Sequence, residues 1–261
     1  MIRVLRFLRI LRILLVLPFL LASPSWAAPK LTARAALLLD HRGNVLYERN
    51  PRTPLPPAST TKVLTALIVL ERCDLNEVVT VSRRAAQQPP SSIGLRPGER
   101  FRVEELLFAL LLHSANDAAT ALAEHIAGSE REFAKLMNQK ALELGAENSH
   151  FANPHGLPAA NHLTTAHDLA VIMRAAMGNP TFVEIAQTPS RRLVWEGNHR
   201  PRFVSGHNRL LAAKVIGKTG FTNRARFCFV GSDPNMTMVL LGSERLWPEA
   251  RSLLALSKPA E

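Results

Sequence analysis

The segment from Ser59 to Arg72 constrains the fold most, because apolar residues cover almost every face of the helix it predicts. After Ser59, Thr60, Thr61 and Lys62, the apolar positions are Val63, Leu64, Ala66, Leu67, Ile68, Val69 and Leu70. A helix that is apolar all round has to be enclosed by other elements. The sequence therefore predicts a buried central helix, and 261 residues are enough to build one sizeable core around it.

Strand patterns occur towards both ends of the chain. Residues 34–48 predict a hairpin around the polar turn Asp40–Gly43. After Arg191, the segments RRLVWEG, AKVIGKTG, ARFCFVGSD and MTMVLLGS are typical of short strands, and WPEARSLLAL predicts a closing helix that starts at Pro248. These patterns favour an α+β fold, in which both chain ends build one antiparallel sheet around a helical subdomain.

Helical patterns fill the middle of the chain. Residues 103–128 show helical periodicity that breaks at a polar corner from His113 to Asn116. The next helix starts at Ser129, with Glu132 in the capping-box position, and ends at Gly145. TTAHDLAVIMRAAM predicts another helix. The helical subdomain is therefore expected to consist of several short helices packed around the central one.

The first 27 residues predict a signal peptide. Four arginines, at positions 3, 6, 9 and 12, precede the short apolar run Ile13–Ala22, and Ser25-Trp26-Ala27 offers small residues for cleavage. A spanning helix needs about 20 apolar residues, so retention as an anchor is the less favoured alternative. We expect a mature domain of residues 28–261 that works outside the cytoplasm, in the periplasm or another extracytoplasmic compartment.

Net charge limits the kinds of partner that the chain can have, and the cysteine content limits its disulfide bonds. Loss of the signal peptide removes four arginines and no acids, so the formal charge falls from +11 to +7. The remaining basic residues are scattered and not interleaved with aromatics, so no nucleic-acid partner is expected. An exported basic protein suits an anionic envelope polymer, or simply has a solvated basic surface. Cys73 and Cys228 either pair, if the fold brings them together, or stay free thiols.

Three short motifs carry reactive groups, and the first is Ser59-Thr60-Thr61-Lys62. Residues three apart share a helix face, which places the Lys62 amine within reach of the Ser59 hydroxyl. Burial and nearby cations disfavour a charged amine, and a neutral amine can activate a serine. The alternative is a serine N-cap followed by a lysine that reaches solvent.

The other two motifs are Ser114-Ala115-Asn116 and Lys218-Thr219-Gly220. The first lies at the interhelical corner, where a polar turn bonded to nearby backbone is the simpler explanation. The second places a cation, a hydroxyl and a glycine on a strand that a substrate backbone can approach closely. A phosphate-binding loop is disfavoured, because that loop needs a glycine where Ala212 stands.

Taken in this order, the motifs resemble those of the penicillin-recognising serine enzymes, and among them the D-alanyl-D-alanine carboxypeptidases of low molecular mass. The resemblance runs from Leu31 to Leu256 and includes the longer strings PASTTKVLTALIVLE, LLHSANDAATALAEHIAGS, FANPHGL, TTAHDLA, GHNRLL and GKTGFTNRA. It implies removal of the terminal D-alanine from peptidoglycan stem peptides through an acyl-enzyme. It also implies β-lactam antibiotics as acylating inhibitors and no metal or other cofactor.

The resemblance implies roles for the first two motifs. Ser59 would be the acylated nucleophile and Lys62 its general base. Ser114 would relay a proton to the leaving amine. Asn116 would hold the substrate amide and orient Lys62. These four residues are the expected catalytic set.

The third motif is implied to bind substrate. Lys218 and Thr219 would bind the carboxylate that ends the substrate. Gly220 follows them on the same strand. The backbone N–H groups of Ser59 and Phe221 would form the oxyanion hole, aimed at the oxygen where negative charge develops.

Other functions remain as alternatives. Many such carboxypeptidases continue into a β-rich domain and a membrane-bound helix, whereas this sequence ends soon after its closing helix. Membrane attachment is therefore doubtful. A D,D-endopeptidase is the nearest alternative, because members without that extension include endopeptidases. A β-lactamase would need a glutamate in an E-x-x-L-N setting, which ELGAEN does not match. The third alternative is a protein that binds the cell wall through the same pocket but no longer turns over substrate. The histidines at 155, 162 and 167 lack H-E-x-x-H spacing, so they predict ordinary surface or core residues and no metal site.

Overall fold

The computed structural model describes residues 29–196 and 202–257, so the predicted signal peptide lies outside the described residues. The strands are β1 (Ala35–Asp40), β2 (Val45–Arg49), β3 (Val78–Thr80), β4 (Arg100–Arg102), β5 (Ser190–Leu193), β6 (Arg202–Ser205), β7 (Ile216–Thr222), β8 (Arg226–Ser232) and β9 (Met236–Ser243). The helices are α1 (Lys62–Arg72), α2 (Arg83–Ala86), α3 (Val103–Leu111), α4 (Asn116–Ala127), α5 (Glu130–Glu143), α6 (Ala166–Met177), α7 (Pro180–Gln187) and α8 (Leu246–Leu256).

Both chain ends contribute to one antiparallel sheet, as the sequence predicted. Its five strands lie in the order β2-β1-β9-β8-β7, with β1 paired to β9 from Ala35 opposite Leu241 to Asp40 opposite Met236. Successive side chains of a strand point to opposite faces. Accordingly, Leu37 packs towards the helical lobe, whereas Leu38 packs in a second cluster with residues of α8. The α+β fold class is therefore confirmed.

Several details differ from the sequence-based expectation, and the short elements α2, β3, β4 and β6 were not predicted. The predicted strand after Arg191 does not join the sheet: β5 pairs locally with β6, with Leu193 opposite Arg202. The closing helix begins at Leu246 rather than Pro248, because a helix tolerates proline in its first turn. Helix α7 was not predicted. Asn179 caps it by accepting a hydrogen bond from the Phe182 amide at 3.1 Å.

The central apolar segment forms the buried core helix that its composition predicted. Residues 62–69 of α1 are all buried, and α3, α4, α5, α6 and α7 contact the helix from different sides. Ser59 precedes the α-helix, in a 3₁₀ turn over Ala58–Thr61. Among the described residues, none of the helices combines the length and apolar character that crossing a bilayer requires.

Replacement of Leu64 by alanine tests how tightly α1 is enclosed. Leu64 is 1% exposed in α1, so Leu64→Ala should lower the free energy of unfolding by about 2–5 kcal/mol. Leu142, at 62% exposure in α5, is the matched control, and Leu142→Ala should change stability by less than about 0.5 kcal/mol. Urea unfolding of both variants measures the difference. Equal effects would contradict the enclosed position of α1.

Candidate active site

Three separate parts of the fold meet at one cleft of about 710 Å³. The 3₁₀ turn before α1 supplies Ser59, the corner between α3 and α4 supplies Ser114, and the edge strand β7 supplies Thr219 and Gly220. Phe221 also lines the cleft. The structure thus brings together motifs that lie far apart in the chain.

The Lys62 amine lies at the centre of the site with three oxygen partners. Its Nζ donates to Ser59 Oγ at 3.0 Å, to Asn116 Oδ1 at 2.7 Å and to the His155 carbonyl oxygen at 2.6 Å. Lys62 is fully buried. Ser59 therefore does not cap a helix beside a solvent-exposed lysine, which removes the structural alternative for this motif.

The surroundings of Lys62 favour its neutral form. Burial first, and then the charge of Lys218, lower the pKa of Lys62 well below its ordinary value, with partial opposition from the carboxylate of Asp117. The oxygens of Asn116 and His155 can only accept hydrogen bonds. They occupy two N–H groups, so in a neutral amine the lone pair is left for the Ser59 hydroxyl. This geometry can remove a proton from Ser59.

Lys218 is a second buried lysine near Lys62. Its Nζ donates to Ser114 Oγ and to the Thr219 carbonyl oxygen, each at 2.9 Å. Burial lowers the pKa of Lys218 to about 7, so its charge is easily lost without an anionic partner. Since β7 continues through Lys218 as a strand, this motif does not form a phosphate-binding loop, which would lead into a helix.

Strand β7 approaches the Ser59 turn very closely, and Gly220 makes this possible. A Cβ atom at Gly220 would lie 2.7 Å from the Ser59 backbone nitrogen and 3.1 Å from the Pro57 carbonyl oxygen. The positions just before Phe221 therefore touch the turn that carries the nucleophilic hydroxyl. Two residues at the site also have left-handed backbone, Ala58 at φ 49° and Ser114 at φ 63°. Such strain is typical of functional sites.

Sequence reasoning missed the support behind Lys62. The His155 ring Nε2 lies 3.1 Å from Glu130 Oε1, and its Nδ1 accepts from the Leu157 amide at 3.2 Å. The acceptor role of Nδ1 places the proton on Nε2, which donates to Glu130. His155 is therefore locked in one orientation and its carbonyl oxygen is held against Lys62. In the sequence, the string FANPHGL was the only indication that this segment matters. Residue identity did not reveal the role of His155, because its backbone carbonyl makes the contact with Lys62.

Glu130 is the anchor of this support. Burial alone would raise the pKa of the Glu130 carboxyl, but hydrogen bonds from His155, Thr120 and Arg84 together lower it to about 2. The carboxylate is thus ionised at neutral pH, with its oxygens committed to these donors. A hydrogen-bond chain therefore runs from Glu130 through His155 to the Lys62 amine.

Sequence reasoning also missed Asp117, which holds the loop that forms one wall of the cleft. Its carboxylate accepts hydrogen bonds from the amides of Ile93 at 3.1 Å and Leu95 at 3.0 Å. Asn116 Nδ2 donates to the Pro89 carbonyl oxygen at 2.9 Å. The start of α4 thereby holds the loop whose residues Pro90 and Ser91 line the cleft. The second motif is consequently more than a polar turn between helices.

Two of the histidines considered from the sequence, His162 and His167, have ordinary settings. His162 is buried against Thr61, with Nε2 3.0 Å from Oγ1, as expected for a core histidine. His167 is partly exposed beside Asp168. Cys73 and Cys228 are both free, and Cys228 is buried. The pairing considered from the sequence is therefore not formed in this structure.

A sheet with a helical lobe, and a cleft serine bonded to a buried lysine, define the class of active-site serine enzymes to which the penicillin-binding proteins belong. The chain belongs to the D-alanyl-D-alanine carboxypeptidase family of serine peptidases (S11), which it matches over residues 23–242. The family resemblance found in the motifs is thus confirmed.

Individual relatives agree with this assignment. D-alanyl-D-alanine carboxypeptidase DacB2 of Mycobacterium tuberculosis is 41% identical over 195 residues, which cover 73% of this chain and 66% of that protein. A crystal structure of a D-alanyl-D-alanine carboxypeptidase from M. tuberculosis H37Rv superposes with a TM-score of 0.82 at 34% identity, covering 89% of this chain and 93% of the other. A D-alanyl-D-alanine endopeptidase of Pseudomonas aeruginosa is 33% identical over 211 residues, or 77% of this chain and 67% of that protein. The chain spans 54–66% of the length of four curated carboxypeptidases.

Replacement of Gly220 by alanine tests the close approach of β7. The new methyl group would force β7 away from the Ser59 turn, and overpacking of this kind costs about 1–3 kcal/mol of unfolding free energy. Gly206 lines the same cleft, but its Cβ would meet nothing nearer than 3.7 Å. Gly206→Ala should therefore be neutral or slightly stabilising in the same denaturant titration. Equal stability of the two variants would show that the contact is not tight.

Proposed function

We propose that this protein is an exported serine D-Ala-D-Ala carboxypeptidase, which removes the terminal D-alanine from peptidoglycan stem peptides. The observation that carries the proposal is the buried Lys62 amine, with two fixed acceptors and one bond to Ser59. The family assignment supports the reaction type. Because the chain covers only part of its curated relatives, the activity and substrate are inferred for this chain rather than transferred from them.

Acylation would begin at the carbonyl that joins the two D-alanines. Ser59 Oγ attacks this carbon while neutral Lys62 takes the hydroxyl proton. Negative charge develops on the carbonyl oxygen, and the backbone N–H groups of Ser59 and Phe221 would stabilise it. The tetrahedral intermediate then collapses, the peptide C–N bond breaks, and Ser114 relays a proton to the leaving amine. The proton that Lys62 took from Ser59 thus ends on the leaving amine, and Lys62 becomes neutral again.

Substrate selection would depend on Lys218. The terminal carboxylate of the stem peptide would accept hydrogen bonds from Lys218 Nζ and the Thr219 hydroxyl. Since Nζ already donates to Ser114 Oγ, the carboxylate would settle beside the group that protonates the departing amine. The Asn116 amide would hold the substrate backbone. Hydrolysis of the acyl-enzyme would then use a water deprotonated by the regenerated Lys62 amine.

The proposed location rests on the sequence alone. Residues 1–27 would direct export and be cleaved, so residues 28–261 would act as the catalytic domain in the periplasm or an equivalent extracytoplasmic space. The formal charge of +7 on this portion suits an anionic wall polymer. β-lactam antibiotics would acylate the same serine.

A D,D-endopeptidase is the second candidate, favoured by the similarity to a D-alanyl-D-alanine endopeptidase. A cross-linked dimer also presents a free carboxylate beside the scissile bond, so the Lys218 geometry suits both substrates. Product analysis with a linear pentapeptide and a cross-linked dimer separates the two. Faster release of D-alanine from the pentapeptide supports the carboxypeptidase, and faster cleavage of the dimer would overturn it.

Benzylpenicillin should label the protein once, on Ser59. Intact mass spectrometry over time should show a one-to-one adduct that persists for minutes in the unmodified protein and is absent in Ser59→Ala. Ser91→Ala is the matched control, because Ser91 lines the same cleft but has no proposed role in the reaction. Rapid drug loss without adduct would favour a β-lactamase, and neither adduct nor drug loss would leave only a binding protein.

The pH profile should report the charge of Lys218. Its pKa is about 7, and only the protonated form binds a carboxylate, so kcat/KM should fall as pH rises above about 7. Lys218→Gln should remove this dependence and lower kcat/KM about 10–100-fold, because charged hydrogen bonds contribute about 1.5–3 kcal/mol. Exposed Lys214 provides the control: Lys214→Gln should keep the profile. Retention of the alkaline decline in Lys218→Gln would contradict the assignment.

A further inference from the structure

Three metal-ligating side chains meet on the surface, remote from the catalytic cleft. Cys73 Sγ, a carboxylate oxygen of Glu77 and a ring nitrogen of His125 all lie within 4.8 Å of one another. Cys73 immediately follows α1, Glu77 immediately precedes β3, and His125 lies in the last turn of α4. Three different elements therefore converge on one point, and the proposed reaction uses none of these side chains.

We propose that Cys73, Glu77 and His125 bind one divalent cation of the zinc class, with water as the fourth ligand. Thiolate, imidazole and carboxylate are the ligands that Zn²⁺ takes in proteins, at about 2.0–2.3 Å. Tetrahedral coordination at these lengths separates the ligand atoms by about 3.3–3.8 Å. The existing cluster needs only small side-chain shifts to reach this geometry. Exposure of Glu77 and His125 leaves room for the water.

Charge and preorganisation also suit a divalent cation. A Cys73 thiolate and the Glu77 carboxylate together carry two negative charges, which Zn²⁺ would neutralise. His125 Nε2 and Glu77 Oε2 already lie 3.0 Å apart, and the other carboxylate oxygen accepts from the Asp74 amide at 2.6 Å. This backbone contact orients the carboxylate, as outer hydrogen bonds do at metal sites. The cation would take the place of the proton between His125 and Glu77.

The free thiol has to lose its proton on binding. Burial, and then the Glu77 carboxylate, raise the pKa of the Cys73 thiol to about 11, so it is protonated in the metal-free protein. Coordination converts the thiol to a thiolate and releases one proton to solvent, with no change of oxidation state. A soft thiolate ligand selects zinc-class cations over magnesium and calcium.

The position of the cluster gives the cation a structural consequence. Helices α1 and α4 carry Lys62 and Asn116 at their N-terminal ends, where the two side chains are joined by a 2.7 Å hydrogen bond. Cys73 and His125 lie at the C-terminal ends of the same two helices. An 11-residue helix is about 16 Å long. A bound cation would therefore link the C-terminal ends of α1 and α4. The N-terminal ends of the same two helices hold the Lys62 amine and its partner Asn116.

Titration with Co²⁺ tests the ligand set directly, because a thiolate–cobalt bond gives a charge-transfer absorption. The protein should bind one Co²⁺ with this absorption, and Zn²⁺ should displace it. Cys73→Ser should abolish the band, and His125→Asn should weaken binding at least about tenfold. His41→Asn is the matched control, since His41 is also exposed but lies outside the cluster. Absence of the band, or its persistence in Cys73→Ser, would overturn the proposal.

Thermal unfolding gives a second readout that is independent of catalysis. Free Zn²⁺ at a hundredfold excess over Kd should raise Tm by about 5–10 °C. The rise should occur in the unmodified protein and in His41→Asn, and it should vanish in His125→Asn. An equal Zn²⁺-dependent rise in His125→Asn would place the cation elsewhere and overturn the proposed site. Neither measurement depends on the identity of the peptidase substrate.

Discussion

The enclosed Lys62 amine is the interaction on which the rest of the structure depends. A lysine side chain is costly to bury with its charge, so it needs either fixed hydrogen-bond acceptors or loss of a proton. Here both conditions are met: two acceptors occupy two N–H groups, and burial together with Lys218 lowers the amine pKa. The lone pair of the neutral amine then has one direction left, towards Ser59. Lys62 thus becomes available as a base because of the packing around it, although its side chain is an ordinary lysine.

Distant elements combine to keep this arrangement in place. Helix α1 carries Lys62 into the buried interior, α4 supplies the Asn116 oxygen, and the loop after α5 supplies the His155 carbonyl. His155 is held in turn by Glu130. On the opposite side, Gly220 lets β7 touch the Ser59 turn. Because each partner comes from a different part of the chain, the site forms only when sheet and helical lobe pack together. A cation bound by Cys73, Glu77 and His125 would hold the far ends of α1 and α4 together within the helical lobe.

The sequence predicted the central helix, the two-ended sheet and the three motifs, because each leaves a local pattern: all-round apolarity, alternation, or fixed spacing. It did not predict His155 as a partner of Lys62, since a backbone carbonyl has no residue signature. The roles of Glu130 and Asp117 were equally hidden, because both act through contacts with segments distant in sequence. Strand β5 was identified but assigned to the wrong sheet, since strand propensity does not specify the pairing partner.

The most direct test of the account is the pKa of Lys62 itself, measured by NMR on protein labelled with ¹³C at the lysine Cε position. Comparison with the Lys62→Met variant assigns its signal among the other lysines. The structure predicts that Lys62 titrates well below the ordinary lysine value of 10.5. Titration of Lys62 together with the exposed lysines would mean that the amine is charged at neutral pH. The proposed activation of Ser59 would then be wrong.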